Sequence, residues 1–243
     1  MASSQHVKYD GTHRLIPTKY AELDGSVLET LSLPTEVIAD LSELDAATNE
    51  RKMAEHDQNI AIGTGELLFG VPEAHIVNAA FCHPGPFGSR FNDSQRGAWY
   101  AGVELETSMA EVAFHKRRFL VDARISDTLV FDYQDFLADF SGEYSLLDSK
   151  EKKECLKPVP IPDCYQAGQA LAKTLLYKGS NGIVYPSVRH LGGTCIACFR
   201  PALVYNPRRG QQYELTVDGS TKERWATAEG LEHSSSPIHY RPR

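Results

Sequence analysis

The stretch from Gly88 to Phe119 constrains the fold of this chain more than any other part of its sequence. Arg90 lies in a strand-like opening, and the polar residues 92–97 that follow it predict a turn. Residues 98–103, which include Trp99 and Tyr100, then predict a second strand, because aromatic residues favour strands. Two polar side chains are therefore carried by neighbouring elements with a short connection between them.

A helix is predicted to follow this strand directly. Thr107 or Ser108 is its expected N-cap, and Glu111 lies in its first turn. An arginine, a tyrosine and a glutamate thus come from three successive elements joined by short loops. Such a layout allows a rigid scaffold to direct three polar groups into one cleft.

The rest of the chain mixes strands with a few helices. A second amphipathic helix is predicted for Cys164 to Tyr177. Further strands are predicted for four segments: GIVYPSVR at 182–189, TCIACF at 194–199, Pro201 to Tyr205, and Gln211 to Val217. A turn, NPRRG, is predicted to join the last two. Strands and helices without regular alternation indicate an α+β fold, a compact mixed sheet with flanking helices.

Four shorter segments complete the prediction of local structure. The run HIVNAAF makes Val71 to Phe81 a strand candidate. Leu129 to Asp132 predicts a short strand, Asp135 to Phe140 a helical turn, and the charged, turn-rich residues from Ser141 to Lys157 a surface excursion.

Three regions are expected along the chain. Residues 1–80 form an N-terminal extension packed on the core, with frayed residues at 1–12 and an amphipathic helix from Pro34 to about His56. Residues 81–228 form the main domain, which contains the stretch described above. Residues 229–243 are rich in Ser and Pro and predict a poorly ordered tail.

Charge and cysteine content exclude several classes of function. A net charge of -7 argues against a nucleic-acid-binding protein, which needs an excess of Lys and Arg. No apolar run is long enough to span a bilayer, and the N-terminus lacks a signal-peptide core. The 5 cysteines include one CxxC, Cys195 and Cys198, without a second ligand pair, so we expect reduced, structural thiols and a cytoplasmic protein.

Two blocks of sequence resemble one known family. The segment GSRFNDSQRGAWYAGVELETSMAEVAFH, followed later by GIVYPSVRHLGG, is similar to the RES domain, named for an arginine, a glutamate and a serine. The likeness extends from about Phe81 to Val204. The resemblance implies an α+β fold like that of ADP-ribosyltransferases, and NAD as the substrate whose nicotinamide–ribose bond is cleaved by hydrolysis or phosphorolysis.

The same resemblance implies which residues carry the reaction. The family arginine falls on Arg90, the strand aromatic residue on Tyr100, the helix glutamate on Glu111 and the serine on Ser187. Glu111 would stabilise the positive charge that develops on the ribose, or deprotonate a water. NAD would be bound by Arg90, Tyr100 and Ser187. A guanidinium can donate two parallel hydrogen bonds to a phosphate, and an aromatic ring can stack on nicotinamide.

Two further residues and several alternatives complete these expectations. Asn92 would brace the turn beside NAD, and Arg189 would supply a second cation if inorganic phosphate is the acceptor. No metal is expected, because the nicotinamide departs neutral. The resemblance implies a toxin held silent by an Xre-type helix-turn-helix antitoxin, and a homodimer is an open possibility. The alternatives are a mono-ADP-ribosyltransferase that modifies a protein or small molecule, and a non-catalytic NAD-binding module.

Overall fold

A computed structural model describes residues 3–21, 62–217 and 223–227. Its strands are β1 (Ser3–Pro17), β2 (Trp99–Gly102), β3 (Leu129–Leu146), β4 (Gly182–Pro186), β5 (Thr194–Cys198), β6 (Tyr205–Val217) and β7 (Glu223–Thr227). Its α-helices are α1 (Thr18–Ala21), α2 (Ala74–Cys82), α3 (Leu105–Asp122), α4 (Ser149–Cys155) and α5 (Gln166–Tyr177). The predicted α+β class, a mixed sheet with flanking helices, is confirmed.

The seven strands form one sheet in the order β1-β2-β5-β4-β3-β6-β7. The pairing of β3 with β4 is parallel, whereas the other pairings are antiparallel. Because β1 also pairs with β3, the strands β1, β2, β5, β4 and β3 close into a ring, and β6 and β7 extend the sheet from β3. Closure of the ring gives β1 a second paired neighbour, β3, in addition to β2.

Strand β1 corrects the prediction that residues 1–12 are frayed. It pairs with β3 from Ser3 opposite Leu146 to Pro17 opposite Tyr133, with an irregularity between Tyr9 and Thr12. The first residues of the strand are mostly exposed, so no clear alternation of apolar residues marks it in the sequence. Backbone hydrogen bonds to a distant strand order this segment, and a local pattern does not report them.

Strand β3 corrects three predictions at once. The short strand that begins at Leu129 continues to Leu146. It includes Asp135 to Phe140, where a helical turn was expected, and the first part of the surface excursion expected from Ser141. β1 lies along one edge of β3, while β6 and β4 lie along the other. Pairing with β6 at its start, with β1 from Tyr133 onward and with β4 at its end keeps Leu129–Leu146 extended. Helix α4 (Ser149–Cys155) follows it.

Three other predicted strands or turns differ from the structure. The candidate strand at Val71 to Phe81 is largely helix α2, since a short apolar run does not distinguish a strand from a buried helix. Pro201–Leu203 is a turn of 3-10 helix where a strand was expected. The segment NPRRG is part of β6, where a turn was expected. The predicted strands β2, β4 and β5 and the predicted helix α5 are confirmed.

The strands β2, β5 and β4 bury both of their faces. Trp99, Ile196 and Val184 lie in a core that includes the apolar side of α2. Cys195, Ala197 and Ile183 alternate with them and lie in a second core with Ala172 of α5. A third core lies between α3, the first part of β3 and β6. Successive side chains of a strand point to opposite faces, so β2, β5 and β4 separate the first core from the second.

Two predictions concern residues outside the described ranges. These are the amphipathic helix from Pro34 to about His56 and the poorly ordered tail at 229–243. The division of the chain at residue 81 stays a prediction, although β1 belongs to the same sheet as the strands of the main domain. None of the described helices has the length and apolar character needed to cross a membrane.

Replacement of Gly168 by alanine is expected to destabilise the protein by about 1–3 kcal/mol, the usual cost of overpacking. A Cβ on Gly168, in helix α5, would lie 2.2 Å from the backbone oxygen of Arg90 and 3.3 Å from the Phe91 ring. Urea unfolding measures the change. Gly65→Ala is the matched control, because a Cβ there meets nothing within 4 Å. A Gly168→Ala variant as stable as this control would contradict the close approach.

Candidate active site

One face of the strands β2, β5 and β4 carries the side chains around which the site is built. Tyr100, Cys195 and Tyr185 lie on this face, toward helix α5. The ring of Tyr185 packs edge-on against Phe91, with 4.8 Å between the ring centroids. Alternate residues of a strand share a face, so each of the three strands places one polar side chain on this side. The three side chains lie beside the segment that contains Arg90.

Helix α3 begins earlier than the sequence predicts. Leu105 is its first residue and Glu104 its N-cap, whereas Thr107 or Ser108 was expected to cap it. The hydroxyl of Ser108 instead accepts from the Gly102 backbone N–H and donates to the His13 backbone oxygen. Glu111 therefore lies in the second turn of the helix, where the first turn was predicted.

Glu111 and Ser187 are in direct contact. The Ser187 hydroxyl donates a hydrogen bond of 2.8 Å to Oε1 of Glu111. The same Oγ accepts from the backbone N–H groups of Arg189 at 3.1 Å and His190 at 3.0 Å. Two backbone donors occupy the oxygen of Ser187, so its own proton is directed at the carboxylate. The structure thus joins two predicted site residues that are far apart in the sequence.

Arg90 is 7% exposed and lies in a tight turn in which Ser89 and Asn92 form an isolated bridge. A strand-like segment was predicted there. Its Nη1 donates to the backbone oxygens of Cys155 at 2.7 Å and Lys157 at 3.0 Å. The guanidinium lies 5.2 Å from the ring centroid of Tyr165. Arg90 therefore connects its own turn to the segment that follows helix α4.

Tyr100 supports that turn through its hydroxyl group. The hydroxyl donates to Oδ1 of Asn92 at 2.9 Å and accepts from the Phe91 backbone N–H at 2.8 Å. Asn92 in turn donates to the backbone oxygen of Asp93. Burial raises the pKa of the Tyr100 phenol above its ordinary value, so the hydroxyl is protonated at neutral pH. Tyr100 and Asn92 thus hold the backbone that follows Arg90, at Phe91 and Asp93.

Arg189 provides a second cation near Glu111. Its guanidinium carbon lies 3.4 Å from the ring centroid of Phe114, which is three residues after Glu111 on helix α3. Its Nη2 donates to the backbone oxygen of Pro158 at 2.7 Å. Burial lowers the pKa of Arg189, an effect that Glu111 opposes and Arg90 reinforces. The two arginines and the carboxylate are thus close enough to influence one another.

Electrostatic coupling marks the extent of the site. Burial raises the pKa of Tyr165, and Arg90, Arg189 and Glu111 all act on that phenol. Burial also raises the pKa of the Cys195 thiol to about 12, and Glu111 adds to the shift. The thiol is therefore neutral at pH 7 and is not an activated nucleophile. All 5 cysteines are buried and free.

The structure brings Arg90, Glu111, Ser187 and Arg189 to one place. Tyr100 of β2 and Asn92 of the turn that contains Arg90 bond to each other beside it. Sequence reasoning missed Tyr165, Phe114, Tyr185 and Cys195, all of which line or support the same region. Phe114 had a usable signal, because it lies one helical turn after Glu111. Tyr165 had none, since its contact with Arg90 spans distant parts of the chain.

Within the described part of the chain, no group of three or more His, Cys, Asp or Glu residues could hold a metal ion. The family model of the RES domain matches residues 67–218, which contain every residue of the candidate site. No curated protein matches the chain.

Proposed function

Since the chain belongs to the RES domain family, we propose that it is an enzyme that cleaves the nicotinamide–ribose bond of NAD. The observation that carries this proposal is the hydrogen bond of 2.8 Å between Ser187 and Glu111, with two arginines beside it. A carboxylate next to cations can stabilise a cationic sugar while the cations hold a negatively charged pyrophosphate.

The reaction places a developing positive charge on the ribose. The bond between C1′ and the nicotinamide nitrogen breaks, and its electron pair moves onto that nitrogen, so nicotinamide leaves neutral. The Glu111 carboxylate stabilises the oxocarbenium ion that remains. In hydrolysis a water oxygen forms the new bond to C1′, and the proton it loses passes through Glu111 to solvent. The products are ADP-ribose, nicotinamide and one proton.

Ser187 directs the carboxylate. Its hydroxyl is held by two backbone N–H groups and donates to Oε1 of Glu111, which leaves Oε2 for the ribose or the attacking water. A fixed orientation lowers the cost of arranging the charge when the bond breaks. Ser187 is therefore proposed to orient Glu111.

The two arginines are proposed to bind the pyrophosphate. Among the described residues, Nε and Nη2 of Arg90 make no hydrogen bond, while Nη1 holds two backbone oxygens. Arg189 uses Nη2 for the Pro158 oxygen, and its Nε is buried without a partner in the same described ranges. Guanidinium groups with donors to spare suit phosphate oxygens. The Tyr100 hydroxyl is already bonded to Asn92, so we assign the ring of Tyr100, and not its hydroxyl, to contact with NAD as a stacking surface.

Incubation of the purified protein with NAD, with and without inorganic phosphate, tests the proposal by following free nicotinamide. Release without phosphate or a protein acceptor indicates hydrolysis. Release that requires phosphate indicates phosphorolysis, with C1′ bonded to a phosphate oxygen. Transfer of labelled ADP-ribose to an added protein would instead support the mono-ADP-ribosyltransferase alternative. Binding of NAD without release under any of these conditions would leave a non-catalytic binding module and overturn the proposal.

We also propose that the activity is toxic to the producing cell and is restrained by a helix-turn-helix antitoxin. Depletion of NAD stops growth, so such an enzyme requires an inhibitor that binds it. Expression of the chain alone is expected to arrest growth, and coexpression with a helix-turn-helix protein encoded beside it is expected to restore growth. Growth that is unaffected by an active enzyme would contradict the toxin proposal.

A further inference from the structure

A chain of hydrogen bonds lies next to Glu111 and Ser187 and involves neither of them. The hydroxyl of Thr107 contacts Oε2 of Glu104 at 2.7 Å and Nδ1 of His190 at 2.9 Å. Oε2 of Glu104 also accepts from the Thr194 backbone N–H at 3.0 Å. Thr107 is fully buried. Together these contacts join the N-terminus of helix α3 to the loop between β4 and β5.

Charge fixes the direction of each hydrogen bond. Burial by itself would raise the pKa of Glu104, but the bonds from Thr194 and Thr107 outweigh it and hold the pKa below its ordinary value. Glu104 is therefore ionised and can only accept. The single proton of the Thr107 hydroxyl goes to Glu104, so the Thr107 oxygen accepts from His190. In neutral His190 the proton then lies on Nδ1, and Nε2 carries the lone pair.

The same loop has a second attachment to helix α3. Ser187 lies at its start and bonds to Glu111, whereas His190 lies at its middle and bonds to Thr107. Thr107 and Glu111 are four residues apart and share one face of the helix. Backbone bonds from Gly193 N to His190 O and from Ser187 N to Gly193 O close the loop between the two attachments.

Gly193 shows how closely the loop approaches the helix. A Cβ at this position would lie 2.2 Å from Oγ1 of Thr107 and 2.7 Å from Nδ1 of His190. No side chain fits in that space, so the Thr107 hydroxyl and the imidazole meet directly against the glycine backbone. A loop attached at one point can rotate about that point. A loop attached at two points keeps the backbone N–H groups of Arg189 and His190, which donate to Ser187, in a defined position.

We propose that Thr107 is a positioning residue of the reaction, and that it acts through His190, which it holds as the Nδ1–H tautomer. The inference rests on the proposed cleavage of NAD. Loss of the second attachment lets the loop shift, and the hydrogen bond from Ser187 no longer orients Glu111. A misplacement of about 1 Å costs up to about 100-fold in rate.

Thr107→Val, which removes the hydroxyl and keeps the shape, tests the inference. We expect kcat for nicotinamide release to fall by about 10- to 100-fold. We expect Thr107→Ser to restore most of the rate. Thr174→Val is the matched control, because that exposed threonine on α5 bonds only to its own helix and lies outside the site. A Thr107→Val enzyme with the wild-type kcat would overturn the inference.

The histidine tautomer provides a readout that does not depend on NAD turnover. Nitrogen-15 NMR at about pH 8.5, well above the usual imidazole pKa of about 6.5, is expected to show His190 protonated on Nδ1 in the wild-type protein. The Nε2–H tautomer should increase in Thr107→Val and decrease again in Thr107→Ser. Wild-type His190 protonated on Nε2 would overturn the inference even if NAD is cleaved. An Nδ1–H signal in a protein without NAD turnover would overturn the proposed function and retain the hydrogen-bond chain.

Discussion

Replacement of Glu111 by glutamine is expected to lower the rate of nicotinamide release by about 100- to 10,000-fold, the range typical of a lost general base or charge stabiliser. Glutamine keeps the shape of the side chain, and its Oε1 can still accept the hydrogen bond that Ser187 donates. It has no negative charge to stabilise the oxocarbenium ion and no lone pair basic enough to take a proton from water. The variant is therefore expected to fold and to bind NAD but to turn it over slowly.

Three measurements establish that result. Nicotinamide release gives kcat, titration of the inactive variant with NAD gives Kd, and urea unfolding gives the stability, which is expected to change by less than about 1 kcal/mol. Glu106→Gln is the matched control, since Glu106 is an exposed glutamate in the first turn of the same helix. A Glu111→Gln enzyme with full activity would refute the assigned role. Loss of NAD binding together with turnover would assign Glu111 to binding.

Replacement of Arg90 by methionine is expected to lower both stability and activity. The backbone oxygens of Cys155 and Lys157 lose their common donor. The Cys155 bond is buried, and an unsatisfied buried acceptor costs about 1–3 kcal/mol. We therefore expect the free energy of unfolding to fall by about 1–3 kcal/mol. The segment after helix α4 also loses its attachment to the turn around Arg90, and kcat/KM for NAD should fall by about 100-fold or more.

Arg224→Met is the matched control for this variant, because Arg224 is exposed on β7. It is expected to stay within about 0.5 kcal/mol of the wild-type stability. Arg90→Lys separates the two effects, since an ammonium can reach one backbone oxygen but cannot match the planar fork. We expect Arg90→Lys to recover part of the stability and little of the activity. A methionine variant with the wild-type urea midpoint would show that Arg90 does not join these segments.

These two experiments examine different properties of one site. In the proposed reaction Glu111 would act through its charge at the reacting carbon. Arg90 is proposed to bind the substrate, and it also donates to two backbone oxygens. Arg189 shares both properties. Its guanidinium stacks on Phe114 and donates to the Pro158 oxygen, and the charge of Glu111 raises its pKa against the effect of burial. Both arginines contact the segment between α4 and α5, so the cations that we assign to the pyrophosphate also define one wall of the site.

Local sequence was sufficient for the elements nearest to the site. Strands β2, β4 and β5 have strong β-branched and aromatic patterns, and helix α5 has a clear apolar stripe. The order of Arg90, Glu111 and Ser187 along the chain, together with the residues around them, was enough to indicate the family. Side-chain type and spacing are properties of short segments, so they can be read without knowledge of what packs against them.

Tertiary contacts overrode the local pattern in the other elements. β1 is a polar segment that β3 orders by hydrogen bonding, and β3 itself is long because strands lie along both of its edges. The N-terminus of α3 was misplaced by a few residues because Ser108, a good capping residue, bonds instead to the backbones of Gly102 and His13. In each case the deciding partner is far away in the sequence.

By itself, the sequence determined the fold class, the family and which four side chains, Arg90, Tyr100, Glu111 and Ser187, were candidates for the site. Only the tertiary structure decided their partners: the Ser187 hydroxyl on Glu111, the Cys155 and Lys157 oxygens on Arg90, and the Tyr100 hydroxyl on Asn92. The physical reason is that hydrogen bonds act over about 3 Å. The chain segments that come within that distance are chosen by strand pairing and core packing of the whole domain.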